Sequence, residues 1–216
     1  MRMDIKICGL KTEEAVRAAI AGGASHAGFI FFEKSPRHTD PETAGKLAAL
    51  AGAAGLRSVA VTVDADDATL DRIVSVMKPD MLQLHGKESP ERVTAVKARF
   101  GLPVMKALAI SEAADFEKIG PYKGVADRFL FDAKPPRGSQ LPGGNAVSFD
   151  WSLLNGLDPD IDYLLAGGIH AGNVADAIAI AHPPGLDISS GVESAPGIKD
   201  TALIANFLQA AGNAGA

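Results

Sequence analysis

The chain has 216 residues, of which 47% are hydrophobic and 22% are charged. This balance excludes a disordered chain, because disordered chains lack the apolar residues that build a core. With 21 basic and 26 acidic residues the formal charge is −5, so there is no basic excess to neutralise nucleic-acid phosphates. The single cysteine excludes an internal disulfide and a multi-cysteine zinc site, and it fits a reducing cytoplasm.

The N-terminus does not resemble a secretion signal, because Asp4 and Lys6 interrupt any apolar stretch there. No run reaches the ~18 uncharged apolar residues of a membrane span. The longest alanine-rich tract, 174–181, is broken by Asp176. We therefore expect a soluble, unprocessed, cytoplasmic protein with no nucleic-acid or membrane partner.

Short β-like runs alternate with helix-like segments along the whole chain. The predicted strands begin near residues 3, 26, 57, 80, 103, 126, 162 and 185. Most of these starts are 23 residues apart, which is about the length of a short strand, a turn and a three-turn helix. The two longer intervals follow strands 2 and 6, so they predict enlarged loops after those strands.

Start signals and apolar periodicity mark the helices between the strands. Thr12 can cap the first helix, and Asp40 followed by Pro41 places a cap before a proline at the first helical position of the second. Spacings of three and four residues predict which side chains face the core. These are Ala15, Ala18 and Ala19; Ala44, Leu47, Ala48 and Ala51; Leu70, Ile73, Val74 and Met77; and Ala202, Ile204, Ala205 and Leu208.

Eight alternations of strand and helix favour a parallel sheet, either closed into a barrel or open and doubly wound. Ile5 and Ile7 lie on one face of strand 1, whereas Asp4, Lys6 and Cys8 lie on the other. An open sheet covered by helices on both sides should be apolar on both faces, so this alternation favours the barrel. We predict an α/β fold with a single (β/α)8 barrel domain over residues 1–216.

Barrel enzymes carry their active sites at the C-terminal ends of the strands, and reactive residue types cluster there in this sequence. Strand 7 ends at Gly167 and Gly168, and strand 8 ends at Ser190 and Gly191. These loops often bind phosphate through backbone N–H groups, since glycine lets the backbone approach an oxyanion closely. The alternative is that both glycine sites are only tight turns.

Four further residues at strand ends have both a structural and a functional interpretation. Cys8 is either an inert small hydrophobe or, beside Lys6, a thiol with a lowered pKa. Asp132 is either a helix cap or a partly buried carboxyl that acts as an acid. Arg37 is either a solvated loop residue or a clamp for a substrate carboxylate, and His85 is either a satisfied core histidine or part of the site.

Motifs for common cofactors are not found in the sequence. It has no G-x-G-x-x-G after a strand, no Walker loop and no H-E-x-x-H motif, and its five histidines lack metal-ligand spacing. The glycine pair Gly143 and Gly144 follows no strand, so it is not a dinucleotide fingerprint. We expect no cofactor and no metal.

Taken together, the strand-end motifs resemble those of the phosphoribosylanthranilate isomerase family over essentially the whole chain. The matching segments are KICGL at 6–10, SPRHT at 35–39, QLHG at 83–86, FDAKPP at 131–136, PGGN followed by FDW at 149–151, LAGGI at 165–169 and DISSGVESAPGIKD at 187–200. One departure is Ala146, where related sequences often carry glycine after the GGN.

The resemblance implies a cofactor-free and metal-free barrel that converts N-(5-phosphoribosyl)anthranilate to 1-(2-carboxyphenylamino)-1-deoxyribulose 5-phosphate, an Amadori rearrangement in tryptophan biosynthesis. It implies that Cys8 is the general base and Asp132 the general acid, so we expect a partly ionised Cys8 and a raised pKa for Asp132. The resemblance further implies that Arg37 binds the anthranilate carboxylate and that the Gly167–Gly168 and Ser190–Gly191 loops bind the phosphate. It implies that Asp187 contacts the anthranilate amino group or Lys6, and that His85 lines the site.

Three alternatives remain open. A metal-dependent sugar-phosphate epimerase would need converging His and Asp ligands, and only His85 qualifies among the histidines. An indole-glycerol-phosphate synthase would need an inward-facing lysine acid, for which Lys106 is the nearest candidate. A catalytically inactive phosphate-ligand sensor could use the same fold. The expected partner is a small phosphorylated substrate, with the protein a monomer or a homodimer.

Overall fold

The computed structural model describes residues 3–135, 138–139, 141, 143–144 and 148–215. Eight parallel strands pair in chain order, and β8 pairs with β1 to close the barrel. The strands are β1 (Asp4–Cys8), β2 (His26–Phe31), β3 (Arg57–Thr62), β4 (Met81–Leu84), β5 (Val104–Ile110), β6 (Arg128–Ala133), β7 (Tyr163–Leu165) and β8 (Gly185–Ile188). The predicted barrel is confirmed, and each strand begins within two residues of its predicted start.

Helical segments connect the strands on the outside of the barrel. The α-helices among the described residues are α1 (Glu13–Ala21), α2 (Pro41–Ala53), α3 (Asp67–Met77), α4 (Pro90–Phe100), α5 (Val174–Ala181) and α6 (Thr201–Ala214). Tighter 3-10 segments occupy Ala113–Tyr122, Trp151–Gly156 and Ser190–Val192. None of the helices in the described ranges is both long and apolar enough to cross a membrane.

The predicted helix caps are confirmed by their hydrogen bonds. The Thr12 side chain accepts from the Ala15 backbone N–H at 3.3 Å, and Asp40 Oδ1 accepts from the Thr43 N–H at 2.8 Å. Each bond satisfies a donor that the first turn of the helix leaves unpaired. Further caps of the same kind are formed by Asp66, Ser89 and Asp200.

The predicted inward face is confirmed for α2, where Ala44, Leu47, Ala48 and Ala51 are all buried. For α6 the prediction is partly wrong. Ile204 and Leu208 are buried, but Ala202 and Ala205 are exposed, and Phe207 and Ala211 take the inward positions. The small alanine side chain fits either face of a helix, whereas the bulky Phe207 gains far more by burial and sets the rotation of α6.

Apolar side chains form an outer and an inner core. The outer core lies between the strands and the helices and includes Ile5, Ile7 and Phe29. The inner core fills the barrel and consists of Cys8, Val59, Val61, Met81, Met105, Ala107, Leu130, Leu164 and Ala166. Polar residues of the inward face therefore sit on a packed apolar plug.

A short antiparallel ribbon, which the sequence analysis did not predict, follows β8. It comprises β9 (Glu193–Ala195) and β10 (Ile198–Lys199), and the pairing places Lys199 opposite Glu193. Its turn packs against the loop after β2, because a Cβ at Gly197 would lie 2.3 Å from the Pro36 carbonyl oxygen. The ribbon thus connects the end of β8 to the enlarged loop after β2.

Candidate active site

A cavity lies at the C-terminal ends of the strands, where barrel enzymes place their chemistry. Its wall contains eight of the nine predicted site residues: Cys8, Arg37, His85, Asp132, Gly167, Gly168, Asp187 and Ser190. Apolar side chains of β2 and β3 and of the loops after them complete one side of it, namely Ile30, Phe32, Val61 and Val63. The fold therefore collects residues that are up to 182 positions apart in the chain.

Gly191 is the exception, since it does not line this cavity. A Cβ at Gly191 would lie 2.1 Å from the Ile169 carbonyl oxygen and 2.9 Å from Ile188 Cδ1. Only glycine permits this approach, so Gly191 lets the loop after β8 pack against the loop after β7. In the described structure Gly191 supports the wall, and its predicted contact with the phosphate stays a prediction.

Cys8 lies beside a buried ion pair that strand register brings together. The register of β1 and β8 places Lys6 opposite Asp187, and Lys6 Nζ lies 2.7 Å from Asp187 Oδ1. A Cβ at Gly28 on β2 would lie 3.0 Å from Lys6 Cε and 3.1 Å from Cys8 Sγ. Both side chains therefore pack over the bare backbone of Gly28, with the Lys6 ammonium next to the thiol.

Burial and charge act against each other at these groups. Burial alone would lower the pKa of Lys6, but Asp187 and Cys8 raise it above its ordinary value, so Lys6 stays charged. Burial raises the pKa of the Cys8 thiol, and the Lys6 ammonium offsets this only in part. Burial therefore opposes the expected ionisation of Cys8, and the partly ionised thiol stays a prediction.

Asp132 has two oxygens in different surroundings. Oδ1 accepts the Ala133 backbone N–H at 2.8 Å, and Oδ2 lies 3.5 Å from Nε2 of His85. Gln83 Nε2 is 2.8 Å from the other ring nitrogen, Nδ1, of His85. Because Oδ1 is engaged by a donor, a protonated Asp132 carries its proton on Oδ2, the oxygen nearer the histidine.

Gly143 closes over this carboxyl group. A Cβ there would lie 2.3 Å from Asp132 Oδ2 and 2.7 Å from His85 Nε2, so only a glycine backbone fits. Its neighbours in the family motifs, Asn145 and Ala146, lie outside the described residues, as does Pro136.

Arg37 is held in the cavity wall by a buried carboxylate. Its Nε and Nη2 donate to Glu193 Oε1 and Oε2 at 2.7 and 2.9 Å. Only 6% of the Arg37 side chain and 4% of the Glu193 side chain are exposed. A Cβ at Gly144 would lie 2.6 Å from Arg37 Nη1, so this glycine backbone packs directly on the guanidinium.

The loop after β7 depends on glycine for two reasons. Gly167 and Gly168 have φ angles of 87° and 64°, which side chains disfavour. A Cβ at Gly167 would also lie 2.6 Å from the Ala133 backbone nitrogen. Asn173 Nδ2 donates to the Gly168 carbonyl at 3.0 Å and fixes the peptide after the turn.

Lys106 does not point into the barrel, which contradicts the synthase-like alternative. Its Nζ contacts Glu88 Oε2 at 2.8 Å and the carbonyl oxygens of Leu84 and Gly86. Met105 and Ala107 take the inward positions of β5, so Lys106 faces outward. In the described part of the chain, no group of three or more His, Cys, Asp or Glu side chains could hold a metal ion.

Three polar residues of the site were not predicted from the sequence. Gln83 could have been found, because it shares the inward face of β4 with His85 two residues later. Glu193 and Lys199 give no comparable signal, since they lie on the unpredicted ribbon and contact Arg37 and the end of β8 only in the folded molecule.

Comparisons with known proteins point to one enzyme family. A family model described as N-(5'-phosphoribosyl)anthranilate (PRA) isomerase matches residues 5–210. An N-(5'-phosphoribosyl)anthranilate isomerase from Mesorhizobium japonicum is 65% identical over 97% of this chain and 95% of its own. The crystal structure of phosphoribosyl anthranilate isomerase from Thermotoga maritima is similar, with a TM-score of 0.87 and 30% identity over 98% of this chain and 100% of that one. Another similar structure (TM-score 0.84, 29% identity, the same coverage) is a phosphoribosyl anthranilate isomerase in complex with reduced 1-(o-carboxyphenylamino)-1-deoxyribulose 5-phosphate.

Proposed function

The chain belongs to the N-(5'-phosphoribosyl)anthranilate isomerase family and catalyses that isomerisation in tryptophan biosynthesis, and from this premise we propose that Cys8 is its general base and Asp132 its general acid. The observation that carries the proposal is that both side chains line one cavity although they come from β1 and β6. One group able to accept a proton and one able to donate it are what the reaction requires.

The proposed chemistry begins at Asp132. Its Oδ2 proton passes to the ribose ring oxygen, the bond from that oxygen to C1 breaks, and the anthranilate nitrogen forms a protonated Schiff base. The Cys8 thiolate then removes the proton from C2, and the electron pair forms the C1–C2 double bond of an enolamine. Transfer of a proton from the Cys8 thiol to C1 and of the C2 hydroxyl proton to the Asp132 carboxylate gives the ketone, so both groups regain their starting states and the product is an isomer of the substrate.

Residues of the cavity wall suit the different parts of the substrate. The apolar side chains of Phe32 and Val63 fit an aromatic ring, and Arg37 in the same wall fits the anthranilate carboxylate. Gly167, Gly168 and Ser190 offer a backbone approach to the phosphate, with Gly191 supporting that loop. Asp187 also lines the cavity, and it can meet the anthranilate amino group while it pairs with Lys6.

The proposal also covers the partner, the domain organisation, the compartment and the oligomeric state of the protein. The partner is a small phosphorylated substrate, and the whole chain, residues 1–216, works as one barrel domain in the cytoplasm. The single cysteine fits this compartment, because a reducing environment keeps a catalytic thiol usable. The protein is proposed to act as a monomer or a homodimer, and none of the proposed steps needs a cofactor or a metal.

The test follows the loss of phosphoribosylanthranilate fluorescence when the purified protein is added. Cys8→Ala and Asp132→Ala should each lower kcat by about 10² to 10⁴-fold, because each removes one proton-transfer partner. Unchanged circular dichroism and Tm would show that the fold is intact, and EDTA serves as the control for metal dependence. Wild-type turnover in either variant would remove that residue from its role, and no turnover by the wild type would favour the sensor alternative.

The role of Arg37 has a separate test. Arg37→Ala should mainly raise KM, because it removes the positive charge that meets the substrate carboxylate. If both KM and kcat keep their wild-type values, Arg37 does not bind the substrate.

A further inference from the structure

The β9–β10 ribbon brings one acidic and one basic side chain to the guanidinium of Arg37. Glu193 and Lys199 face each other across the ribbon, and Lys199 Nζ lies 2.8 Å from Glu193 Oε1. Their side chains are 4% and 3% exposed, so both charges are withdrawn from solvent. A buried pair of this kind is expensive to desolvate, and its place beside the active-site cavity indicates a use other than stability.

All acceptor positions of Glu193 are occupied. Its Oε1 accepts from Arg37 Nε and Lys199 Nζ, and its Oε2 accepts from Arg37 Nη2 and the Gly197 backbone N–H. Four donors on two oxygens leave the carboxylate a single orientation. Gly197 also packs on the Pro36 carbonyl, directly before Arg37 in the chain, so the ribbon holds both the backbone and the side chain of this loop.

Glu193 takes one particular edge of the guanidinium. It binds the side formed by Nε and Nη2, so the edge formed by Nη1 and Nη2 makes no contact with Glu193. Arg37 lines the cavity, and this second edge has the geometry to hold a carboxylate with two parallel N–H bonds. The Gly144 backbone packs against Nη1, and its carbonyl oxygen lies 3.4 Å from Nη2, so a substrate carboxylate at this edge must displace these contacts.

The ribbon also reaches the strand end that carries Cys8. Lys199 Nζ donates to the Ser189 carbonyl at 2.8 Å, and Ser189 Oγ donates to the Cys8 carbonyl at 3.1 Å. A continuous chain of polar contacts thus connects the arginine loop to the backbone of Cys8.

We propose that Glu193, supported by Lys199, is the positioning residue that turns the Nη1–Nη2 edge of Arg37 toward the carboxylate of the substrate. The inference rests on the proposed function, in which Arg37 binds that carboxylate. It makes the ribbon part of substrate recognition, although neither Glu193 nor Lys199 lines the cavity.

Positioning and simple electrostatics predict opposite results for Glu193→Gln. If Glu193 acted only through its charge, its removal would leave Arg37 more attractive to an anion and KM would fall. If Glu193 positions Arg37, KM should rise about tenfold or more with kcat changed only about twofold, because a charge-assisted hydrogen bond that fixes the clamp is lost. Glu193→Asp keeps the charge but shortens the reach, so it should raise KM in the same direction.

Three controls make the result decisive. Glu193→Gln combined with Lys199→Met restores the net charge but not the contact, so KM should stay high. Asp4→Asn removes a carboxylate from Arg128 at the opposite end of the barrel and should leave KM unchanged. Competitive inhibition by 2-aminobenzoate should weaken in both Glu193 variants, whereas inhibition by inorganic phosphate should not.

The outcomes separate this inference from the proposed function. A wild-type KM in Arg37→Ala would overturn the carboxylate site itself. A raised KM in Arg37→Ala together with wild-type or lower KM values in both Glu193 variants would overturn the positioning role alone. So would a return to the wild-type KM in the charge-restored double variant.

Discussion

Lys6 is the residue on which the behaviour of Cys8 depends most directly. It is fully buried, paired with Asp187 and adjacent to the thiol, so its charge acts on both the Asp187 carboxylate and the Cys8 sulfur. Asp187 satisfies the ammonium in the resting protein and also raises the pKa of the thiol. The pair therefore keeps a cation next to the thiol.

Replacing Lys6 should move the ionisation of Cys8 to higher pH. Lys6 lowers the pKa of the thiol, so Lys6→Gln leaves burial and the charge of Asp187, which both raise it, opposed by the smaller effect of Lys199. The thiolate absorbance near 240 nm can be titrated cleanly, because Cys8 is the only cysteine and Cys8→Ser provides the baseline. Lys6→Arg keeps the charge and should titrate closer to the wild type, and an unshifted curve in Lys6→Gln would mean that Lys6 does not act on the thiol.

Gly143→Ala should impair catalysis more than folding. The new Cβ would displace Asp132 Oδ2 or His85 Nε2, so we expect kcat to fall about tenfold or more while Tm changes little. Gly52→Ala is the matched control. A Cβ there would meet nothing within 4 Å, and Gly52 lies on the exposed surface of α2 and does not line the cavity. Wild-type kcat in Gly143→Ala would show that the loop yields easily.

Residues whose environment follows from local sequence were predictable, and residues placed by distant contacts were not. Cys8, Asp132 and Asp187 stand at the ends of recognisable strands, so the fold itself locates them. Glu193 contacts Arg37 across 156 positions of the chain, and no local sequence pattern near either residue predicts this contact. The orientation of Lys106 was missed for the same reason, since its partner Glu88 comes from the loop after β4.

At the scale of elements, strands and capped α-helices were predictable because their signals are local and repeated. The ribbon was not, because its strands of three and two residues show no alternation and follow β8 without an intervening α-helix, and the 3-10 segments lack α-helical periodicity. The segment Ala113–Tyr122 also contains Pro121, which removes a backbone donor and disfavours a regular α-helix. The enlarged loop after β2 was predicted from spacing alone, although its anchoring on the ribbon was not.

Two glycines of α2 should respond differently to alanine. Gly52→Ala should stabilise the protein by about 0.5–1 kcal/mol, because alanine loses less backbone entropy in a helix and meets no neighbour here. A Cβ at Gly45 would lie 3.1 Å from the Val76 carbonyl oxygen at the end of α3, so Gly45→Ala should be less stable than Gly52→Ala. Chemical denaturation of the two variants measures the difference, and equal stabilities would mean that α2 and α3 separate without cost.

At the scale of the whole molecule, the two ends of the barrel carry different groups of polar residues. The C-terminal end carries the cavity, and the N-terminal end carries a buried polar cluster. There His26 is 1% exposed, with Nδ1 2.7 Å from Ser25 Oγ, and Arg128 bridges Asp4 at 2.7 Å and Asp162 at 3.0 Å. Within the described residues Nε2 of His26 has no hydrogen-bond partner, so this ring is buried in its neutral form without full compensation.

This cluster should make the stability of the barrel depend on pH. Burial lowers the pKa of His26 from 6.5 to about 4, with Asp4 opposing the shift and Arg128, Lys6 and Arg57 adding to it. Between pH 6.5 and 4, His26 therefore binds a proton in the unfolded chain but not in the folded chain. The free energy of unfolding falls as the pH falls through that window. The expected loss is roughly 2 kcal/mol between pH 8 and pH 5.

His26→Gln separates this effect from the titration of carboxylates. Glutamine is neutral at every pH and still offers a hydrogen bond to Ser25, so the free energy of unfolding of the variant should change little between pH 8 and pH 5. Urea unfolding at several pH values compares the two slopes. If the wild-type slope persists in His26→Gln, another group takes up the proton. A flattened slope would show that His26, at the N-terminal end of the barrel, limits the acidity at which the protein and its cavity stay folded.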